Sequence, residues 1–576
     1  MSATAALRMA ILSNYTLDPL KDLLLREARG LDLEAEVWVA PFNTYAQEIL
    51  DPSSALHRFD PDITILALAP GPLFGRLLAH FWELSPEARR EEVSRTAGDI
   101  ASLIEAAASR GRGVLLVHNF VIPSSPVLGL HDLRDPFGER AIVAAANEAL
   151  AAACRKHASA FVMDIEALAG RCGKDAWTDP KMVFLARMEV TRPGLEALAA
   201  ETMRFVRALA GRARKALVLD LDNTLWGGII GEDGLAGIRL GDAAPGNAYV
   251  AFQRRILALQ RRGVLLAIVS KNDPEDAIEA IENHPEMVLR PEHFAAMRIN
   301  WRDKPDNLRE IARELNLGLD AFVYWDDDPT ERSRMRAMIP EVLTVEVPRD
   351  AALYERTLSR ITDFDTLSLT DEDRARGRMM SEGRVRKEAR GAFTTEEEFL
   401  QSLEIRATVS APDAVTLPRF AQLTQRTNQF NLTTQRYTEA DLQRRITSGR
   451  GMARGLRVED RFGDEGWVGF ALIERDGDTA RVDTFLMSCR VLGRRVERAF
   501  LLSLLEELRT QGVKRVEASY HRTAKNSLCE GFWRDSGFSV TRESEERTDY
   551  RLDLTSGLAP MPEHVTLIHA GRSSHG

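Results

Sequence analysis

Two carboxylates close the apolar run LVLDLD at Asp220 and Asp222, with Thr224 two residues further on. In an extended segment, side chains two residues apart point the same way, so both carboxylates face one crevice. One can attack phosphorus while the other handles the leaving-group proton. A carboxylate nucleophile splits a difficult phosphoryl transfer into two easier steps through an acyl phosphate. Such concentrated charge repels an anionic substrate unless a cation bridges them, which calls for Mg2+ held by oxygen ligands. A second acidic group, Asp326, Asp327 and Asp328, follows the apolar run AFVYW and offers the other half of a metal site. Between the two groups, Ser270 ends VLLAIVS and is followed by Lys271 and Asn272, while Lys304 opens a helical stretch. With Thr224, these residues are candidates to hydrogen-bond and neutralise phosphoryl oxygens. Each element alone has an ordinary explanation: a solvated turn, a helix cap, a surface charge. Four of them in this order, three at strand ends, argue for one site.

The elements that position these residues follow from periodicity. Around the site, residues 215–345 alternate strand and helix: KALVLDLD, helix Ala248–Arg262, VLLAIVS, helices Pro274–Asn283 and Lys304–Leu315, then AFVYWDDD. That alternation predicts a parallel sheet covered on both faces, with ligands at the carboxyl ends of its strands. Residues 7–210 show the same rhythm, with strands at Arg8–Ser13, Asp62–Leu68, Gly113–His118 and Ala160–Met163. Helical periodicity there covers Leu17–Arg29, Pro86–Arg110, Glu139–His157 and Arg192–Leu209. Residues 363–400 are charge-dense and predict a solvated helical connector. From about Leu403 the texture becomes α+β, with helices expected at Val496–Gln511 and Lys525–Ser536. Beyond Gly557 the chain is rich in Gly, Pro, Ser and His and reads as a flexible tail. The expected division is 1–210, 211–362, 363–400, 401–556 and 557–576.

Spacing adds a constraint. Asp222 and Ser270 stand 48 residues apart, and Ser270 and Lys304 stand 34 apart. Neither gap holds a separate capping domain of about 80 residues. An open site needs a macromolecule or a neighbouring domain to cover it and exclude water.

At 576 residues and 44% apolar content the chain is an ordinary globular protein of several domains. Its net charge of −10 comes with dispersed Lys and Arg, which argues against nucleic acid or an anionic membrane as partner. Four scattered cysteines suggest neither a zinc site nor a disulfide framework. With no secretory signal and no long apolar span, a cytoplasmic location is expected.

The four motifs resemble those of the haloacid-dehalogenase (HAD) superfamily. That resemblance implies Asp220 as nucleophile and Asp222 as general acid/base. It puts the metal on Asp220, the Asp222 carbonyl and Asp327, with Asp326 in support. A longer resemblance rests on LDLDNTLWGGIIGEDG, VSKNDPEDA, INWRDKPDNLREIARELNLGLDAFVYWDDDPTER, TQRTNQFNLTTQRY and DTFLMSCRVLGRRVE, within residues 7–555. These segments are similar to the FkbH-like proteins of polyketide pathways. The resemblance implies an enzyme that dephosphorylates 1,3-bisphosphoglycerate and loads the glyceryl unit as a thioester on an acyl carrier protein. It also implies that Cys489 carries the acyl group transiently. Independently, Cys489 follows an apolar strand and is flanked by Arg490, Arg494 and Arg495, whose positive potential favours a thiolate. A buried, inert cysteine is the plainer alternative.

The stretch Arg490-Val-Leu-Gly493-Arg494-Arg495 resembles the pyrophosphate-binding turn of GNAT (N-acetyltransferase) folds. A helix from Val496 would then present its amides to the phosphate of a carrier-protein phosphopantetheine. Arg495 departs from the Gly or Ala of that pattern, which disfavours tight coenzyme A binding. Asp328 departs likewise, standing where the family has Asn and adding negative charge beside the metal. The N-terminal domain resembles the SGNH hydrolase fold but lacks a GDS segment. Where that fold carries Asp-x-x-His the chain reads Leu185-Ala-Arg-Met-Glu-Val-Thr. Ser13, His118 and Asn119 are therefore read as structural or as lining a relic pocket. The expected architecture is an SGNH-like α/β layer, a HAD Rossmann-like parallel sheet and a GNAT-like α+β domain. The rival functions are a plain phosphatase acting on a small phosphorylated metabolite, and a carrier-protein acyltransferase whose phosphatase centre is inactive.

Overall fold

The computed structural model describes residues 6–369, 393, 395–447 and 451–570. Among the described residues the chain is mixed α/β, with two parallel sheets and one mixed sheet. It divides into two compact units, Met1–Val206 with Thr438–Asp441, and Arg207–Tyr437 with Leu442–Gly576.

The first unit is built on β1 (Leu7–Ser13), β2 (Ala35–Val39), β3 (Ile63–Ala67), β4 (Val114–His118) and β5 (Ala160–Met163). All four pairings are parallel, in the order β2-β1-β3-β4-β5. β1 and β4 read as continuous apolar runs because helices bury both faces. The Pro86–Arg110 helix contributes Val93, Ile100 and Ile104 to the core, and Glu139–Cys154 contributes Ile142, Val143, Ala146 and Leu150. These spacings of three, four and seven place one apolar stripe on each helix. β2 escapes the periodicity reading because Glu34 and Glu36 interrupt its apolar pattern. An edge strand half open to solvent tolerates them.

The second unit carries two sheets. Its parallel sheet runs β6 (Ala216–Leu219), β7 (Leu265–Ser270), β8 (Phe294–Ile299), β9 (Phe322–Trp325) and β10 (Leu343–Thr344), in the order β10-β9-β6-β7-β8. β8 was not expected, since its Ala295–Ala296 pair has weak strand preference. β6 leads to β7 on one side and β9 leads to β10 on the other. The order in which strands are added therefore reverses between the adjacent parallel strands β6 and β9, which opens a crevice at their carboxyl ends. Behind that crevice the Trp325, Phe252 and Tyr354 rings pack together, with centroids 4.7 Å and 5.5 Å from Trp325. Each such pair adds about 1 kcal/mol beyond simple burial and stiffens the end of β9.

The mixed sheet contains β11 (Ile405–Ser410), β12 (Gly451–Asp460), β13 (Gly463–Asp476), β14 (Thr479–Met487), β15 (Arg515–His521), β16 (Ser539–Glu543), β17 (Arg547–Asp553) and β18 (Val565–His569). Their order is β16-β17-β15-β14-β13-β12-β11-β18. The Val496–Thr510 helix packs on it through Ala499, Phe500, Leu504 and Leu508.

Three expectations need correction or restriction here. Lys525–Ser536 is not one helix but two short pieces, Ser527–Cys529 and Phe532–Asp535, separated at Gly531. The stretch after Gly557 is not all tail. Val565–His569 pairs in parallel with Ile405–Val409, because its β-branched and apolar residues cover the otherwise bare edge of β11. Of the charged connector, residues 370–392 and 394 lie outside the described residues. Glu396–Ser402 is a helix opened by reciprocal bonds between Thr395 and Glu398.

Candidate active site

The amide of Asp220 donates to the Trp325 carbonyl at 3.1 Å, carrying the β6–β9 pairing one residue past β6. Asp220 and Asp326 thereby stand side by side in the crevice. Lys304, the first residue of the Lys304–Glu314 helix, reaches between them. Its Nζ lies 2.8 Å from Asp220 Oδ2 and 2.7 Å from Asp326 Oδ2. Burial opposes the charge on Lys304, but the two carboxylates outweigh it and raise its pKa. Asp326 is fully buried and also accepts from Tyr324 OH and, at 2.9 Å, from the Asp328 amide. Asp327 completes the group, with Thr224 Oγ1 3.4 Å from its Oδ1. Burial, and then the charges of Asp220 and Asp326, push the Asp327 carboxyl up to about 7.

One ammonium among three carboxylates leaves a net negative pocket. One oxygen from each of Asp220, Asp326 and Asp327 lies within 4.8 Å of the other two. Oδ1 of Asp220 is buried and has no hydrogen-bond partner among the described residues. An orphaned carboxylate oxygen beside an acid driven towards neutrality is what a hard divalent cation would relieve. The donor set therefore fits such a cation.

Asp222 does not join that cluster. Asn223 adopts φ +52°, and this left-handed turn is held by Tyr354 OH on its carbonyl at 3.0 Å. Beyond it the Asp222 carboxylate is held separately. Its Oδ1 accepts from Trp226 Nε1 at 2.9 Å and from the Ile230 amide at 3.0 Å, and its Oδ2 accepts from Asn272 Nδ2 at 2.8 Å. Burial raises its pKa; the Ile230 and Trp226 donors oppose that rise and the charge of Asp220 adds to it. The Asp222 carboxylate, expected as the general acid/base, sits in a cage of its own that is suited to holding a proton.

Ser270 is buried at the end of β7, where its carbonyl accepts from the Asn300 amide at 3.0 Å. Lys271 meets Glu331 at 2.6 Å. Asp328 is not an extra charge beside a metal: it is exposed and caps the Pro329–Met338 helix through the Thr330 amide at 2.7 Å. Two residues escaped the sequence reading. Tyr324 lies two before Asp326, so strand alternation could have placed it on the same face. Arg332 carried no such signal. It is buried and donates to the carbonyls of Asp326 and Asp327 at 2.9 and 2.7 Å, with Glu346 at 3.1 Å.

Cys489 and Arg490 belong to the mixed sheet, just beyond β14. β14 and β15 pair in parallel only over Thr479–Arg481 and then part. Phe430–Leu432 fills the opening. The Met487 amide donates to the Phe430 carbonyl at 2.9 Å, and the His521 amide to the Leu432 carbonyl at 2.8 Å. Asn526 Nδ2 donates to the Asn431 carbonyl at 3.0 Å. The positive surroundings expected for Cys489 are weaker than its neighbours implied. Arg494 is buried between Asp460 and Glu465 at 2.9 and 2.7 Å, and Arg495 faces Glu397 at 3.0 Å. Arg490 Nε meets Ser488 Oγ at 3.2 Å. The first turn of the Val496–Thr510 helix holds the half-buried Glu497, whose carboxyl burial raises, where a phosphate was expected.

No protein-family model matches the chain, and no curated protein matches it. Among solved structures, the chain is similar to the N-terminal part of the protein BF1531 from Bacteroides fragilis, which contains a phosphatase domain and is complexed with Mg. The two share 27% identity with a TM-score of 0.59, over 63% of this chain and 95% of that one. The ribosomal-protein-S18-alanine N-acetyltransferase from Escherichia coli matches 27% of this chain and 97% of its own, at 16% identity and TM-score 0.21. The spermidine/spermine N-acetyltransferase SpeG from Vibrio cholerae matches 26% of this chain and 95% of its own, at 13% identity and TM-score 0.22.

In the N-terminal unit, Ser13 Oγ donates to the Tyr15 carbonyl at 2.8 Å and accepts its amide at 3.1 Å. His118 is buried, and burial pulls its pKa down to about 3. Asn119 donates to Asp164 and accepts the amides of Ile165 and Glu166. Among the described residues, neither ring nitrogen of His118 has a hydrogen-bond partner, Ser13 included.

Proposed function

We propose that the chain is a Mg2+-dependent phosphatase of the haloacid-dehalogenase type that also transfers an acyl group to a carrier protein. The observation that carries the phosphatase half is the Asp220–Lys304–Asp326–Asp327 cluster at the reversal between β6 and β9. Asp220, Asp326 and Asp327 would hold the cation, the last two on the backbone turn clamped by Arg332. Bound there, Mg2+ would neutralise the carboxylates and the phosphoryl oxygens and make phosphorus more electrophilic. Asp220 attacks phosphorus and forms an aspartyl phosphate, its position fixed by Lys304. Asp222 protonates the departing oxygen. Its Oδ1 already takes two N–H donors, so Oδ2 is the oxygen that carries the proton. Ser270, Lys271, Asn272 and Thr224 line the carboxyl edge as phosphate-binding groups.

The transfer half rests on the sequence resemblance and on the placement of Cys489 after β14, beside the inserted Phe430–Leu432 segment. The substrate proposed is 1,3-bisphosphoglycerate. The Cys489 thiolate takes the glyceryl group as a thioester and passes it to the phosphopantetheine thiol of an acyl carrier protein. Arg490 stands beside that step. The N-terminal unit is proposed as an SGNH-like layer without hydrolase activity, since Ser13 is tied into a turn. Intact-mass measurement of a carrier protein after incubation with enzyme, Mg2+ and 1,3-bisphosphoglycerate tests the reading. A glyceryl mass increment is expected, and Cys489→Ala should lose it while keeping phosphate release. Phosphate release with no increment leaves the plain phosphatase reading.

A further inference from the structure

The C-terminal domain docks against the amino edge of the parallel sheet in its own unit. Lys215, the residue before β6, donates its Nζ to the Arg426 carbonyl at 2.9 Å. Asp320, two residues before β9, pairs with Lys525. The Asp220 cluster lies at the opposite ends of these same two strands. From Lys215 to Asp220 the chain climbs five residues of strand, about 16 Å at the ordinary rise. The Cys489 region belongs to the docked side. Met487, two residues before Cys489, bonds to Phe430, four residues beyond Arg426. The C-terminal domain is thus not the cover that an uncapped phosphatase site was expected to find.

The geometry points to two centres, one at the carboxyl edge of the parallel sheet and one in the domain docked at its amino edge, with the reacting group released from the first before it reaches the second. This rests on the function proposed above and adds how its halves are coupled. Neither half-reaction needs the other centre to balance. At the Asp220 centre, a phosphate monoester and water give an alcohol and inorganic phosphate. At the second, the Cys489 thiolate attacks the carbonyl of an acyl phosphate, the bond from that carbon to the phosphate oxygen breaks, and phosphate leaves. The carrier thiol then displaces Cys489, and its proton passes to the cysteine sulfur. What travels is an acyl phosphate free in solution or an acyl group on the carrier's flexible arm.

Complementation tests this with full-length chains. Asp220→Asn and Cys489→Ala should each be inactive in making the dephosphorylated, loaded carrier. Mixed at equal concentration with carrier protein, Mg2+ and 1,3-bisphosphoglycerate, they should restore at least a tenth of wild-type loading. Loading that survives when a membrane impermeable to protein separates the variants assigns the traveller as the free acyl phosphate. Loading only in the mixture assigns it to the carrier arm. No loading in the mixture overturns the proposal, provided Cys489→Ala still releases phosphate and Asp220→Asn is still acylated at Cys489 by a small acyl phosphate. Normal loading by Cys489→Ala alone overturns the proposed function, and the coupling with it.

Discussion

The chain builds a five-stranded parallel sheet twice, and each has a point where strand order reverses. In the central sheet the reversal lies between β6 and β9, and three carboxylates and an ammonium crowd it. In the N-terminal sheet it lies between β1 and β3, and the crevice is stitched shut. Asn14 Nδ2 donates to the Ala69 carbonyl at 3.2 Å, and Asn14 Oδ1 accepts the Ala69 amide at 2.7 Å. Topology supplies the same crevice in both. In one, buried charge is left partly unsatisfied and ready for a cation; in the other every group named is paired within the chain. Unsatisfied buried charge is costly, so it persists where a ligand compensates it.

Breaking the charged crevice should have the largest effect. Asp220→Asn keeps the shape of the side chain but removes its charge and the proposed nucleophile, and phosphate release should fall to background. Release at the wild-type rate would sink the assignment. Lys304→Ala comes next, leaving adjacent buried carboxylates without their cation. Denaturant unfolding of the metal-free protein should show a loss of about 3–5 kcal/mol, partly recovered by added Mg2+. Arg332→Leu frees the carbonyls of Asp326 and Asp327 and should weaken Mg2+ binding on the order of tenfold, read by titration calorimetry. An unchanged affinity would show that the turn holds itself.

The pH dependence is gentler and has a definite sign. The Asp327 carboxyl titrates near 7 when folded, against an ordinary value of 3.8. Between those values the folded state binds more proton than the unfolded one, so the metal-free protein should lose stability as pH rises from about 4 to about 7. A cation must displace that proton. Its affinity should therefore climb roughly tenfold per pH unit below 7 and flatten above it. A flat profile across pH 5–7 would contradict the raised carboxyl. The smallest effects belong to the stitched crevice. Asn14→Ala should cost about 1–3 kcal/mol of stability by orphaning the buried Ala69 amide, yet leave phosphate release unchanged. Ser13→Ala should alter neither by a measurable amount. Activity lost in either variant would reopen the N-terminal crevice as a functional site.

Much of the central sheet was legible because its strands carry their own signals. Pro274–Asn283 opens with an Asp273 cap and Pro at its first turn, and β6 is an unbroken apolar run ending in charge. Edge strands were harder. β2, β8 and β18 are half exposed or rich in small or polar residues, and their pairing depends on a neighbour far along the chain. The surroundings of Cys489 misled for the same reason. Three nearby arginines look like positive potential, until folding brings Asp460 and Glu465 onto Arg494.

Asp220, Asp222, Ser270, Lys304 and the aspartates after AFVYW could be picked from the sequence because each ends or begins an element whose period is local. That they meet was implied by strand alternation, since parallel strands bring their carboxyl ends to one edge. Only the tertiary structure decided which carboxylates gather within 4.8 Å of one another and which one is caged apart by Trp226, Ile230 and Asn272. It also decided that the C-terminal domain docks on the far edge of the sheet. Those outcomes depend on distances between residues tens to hundreds of positions apart, and burial, charge pairing and docking are set by such contacts rather than by any local pattern.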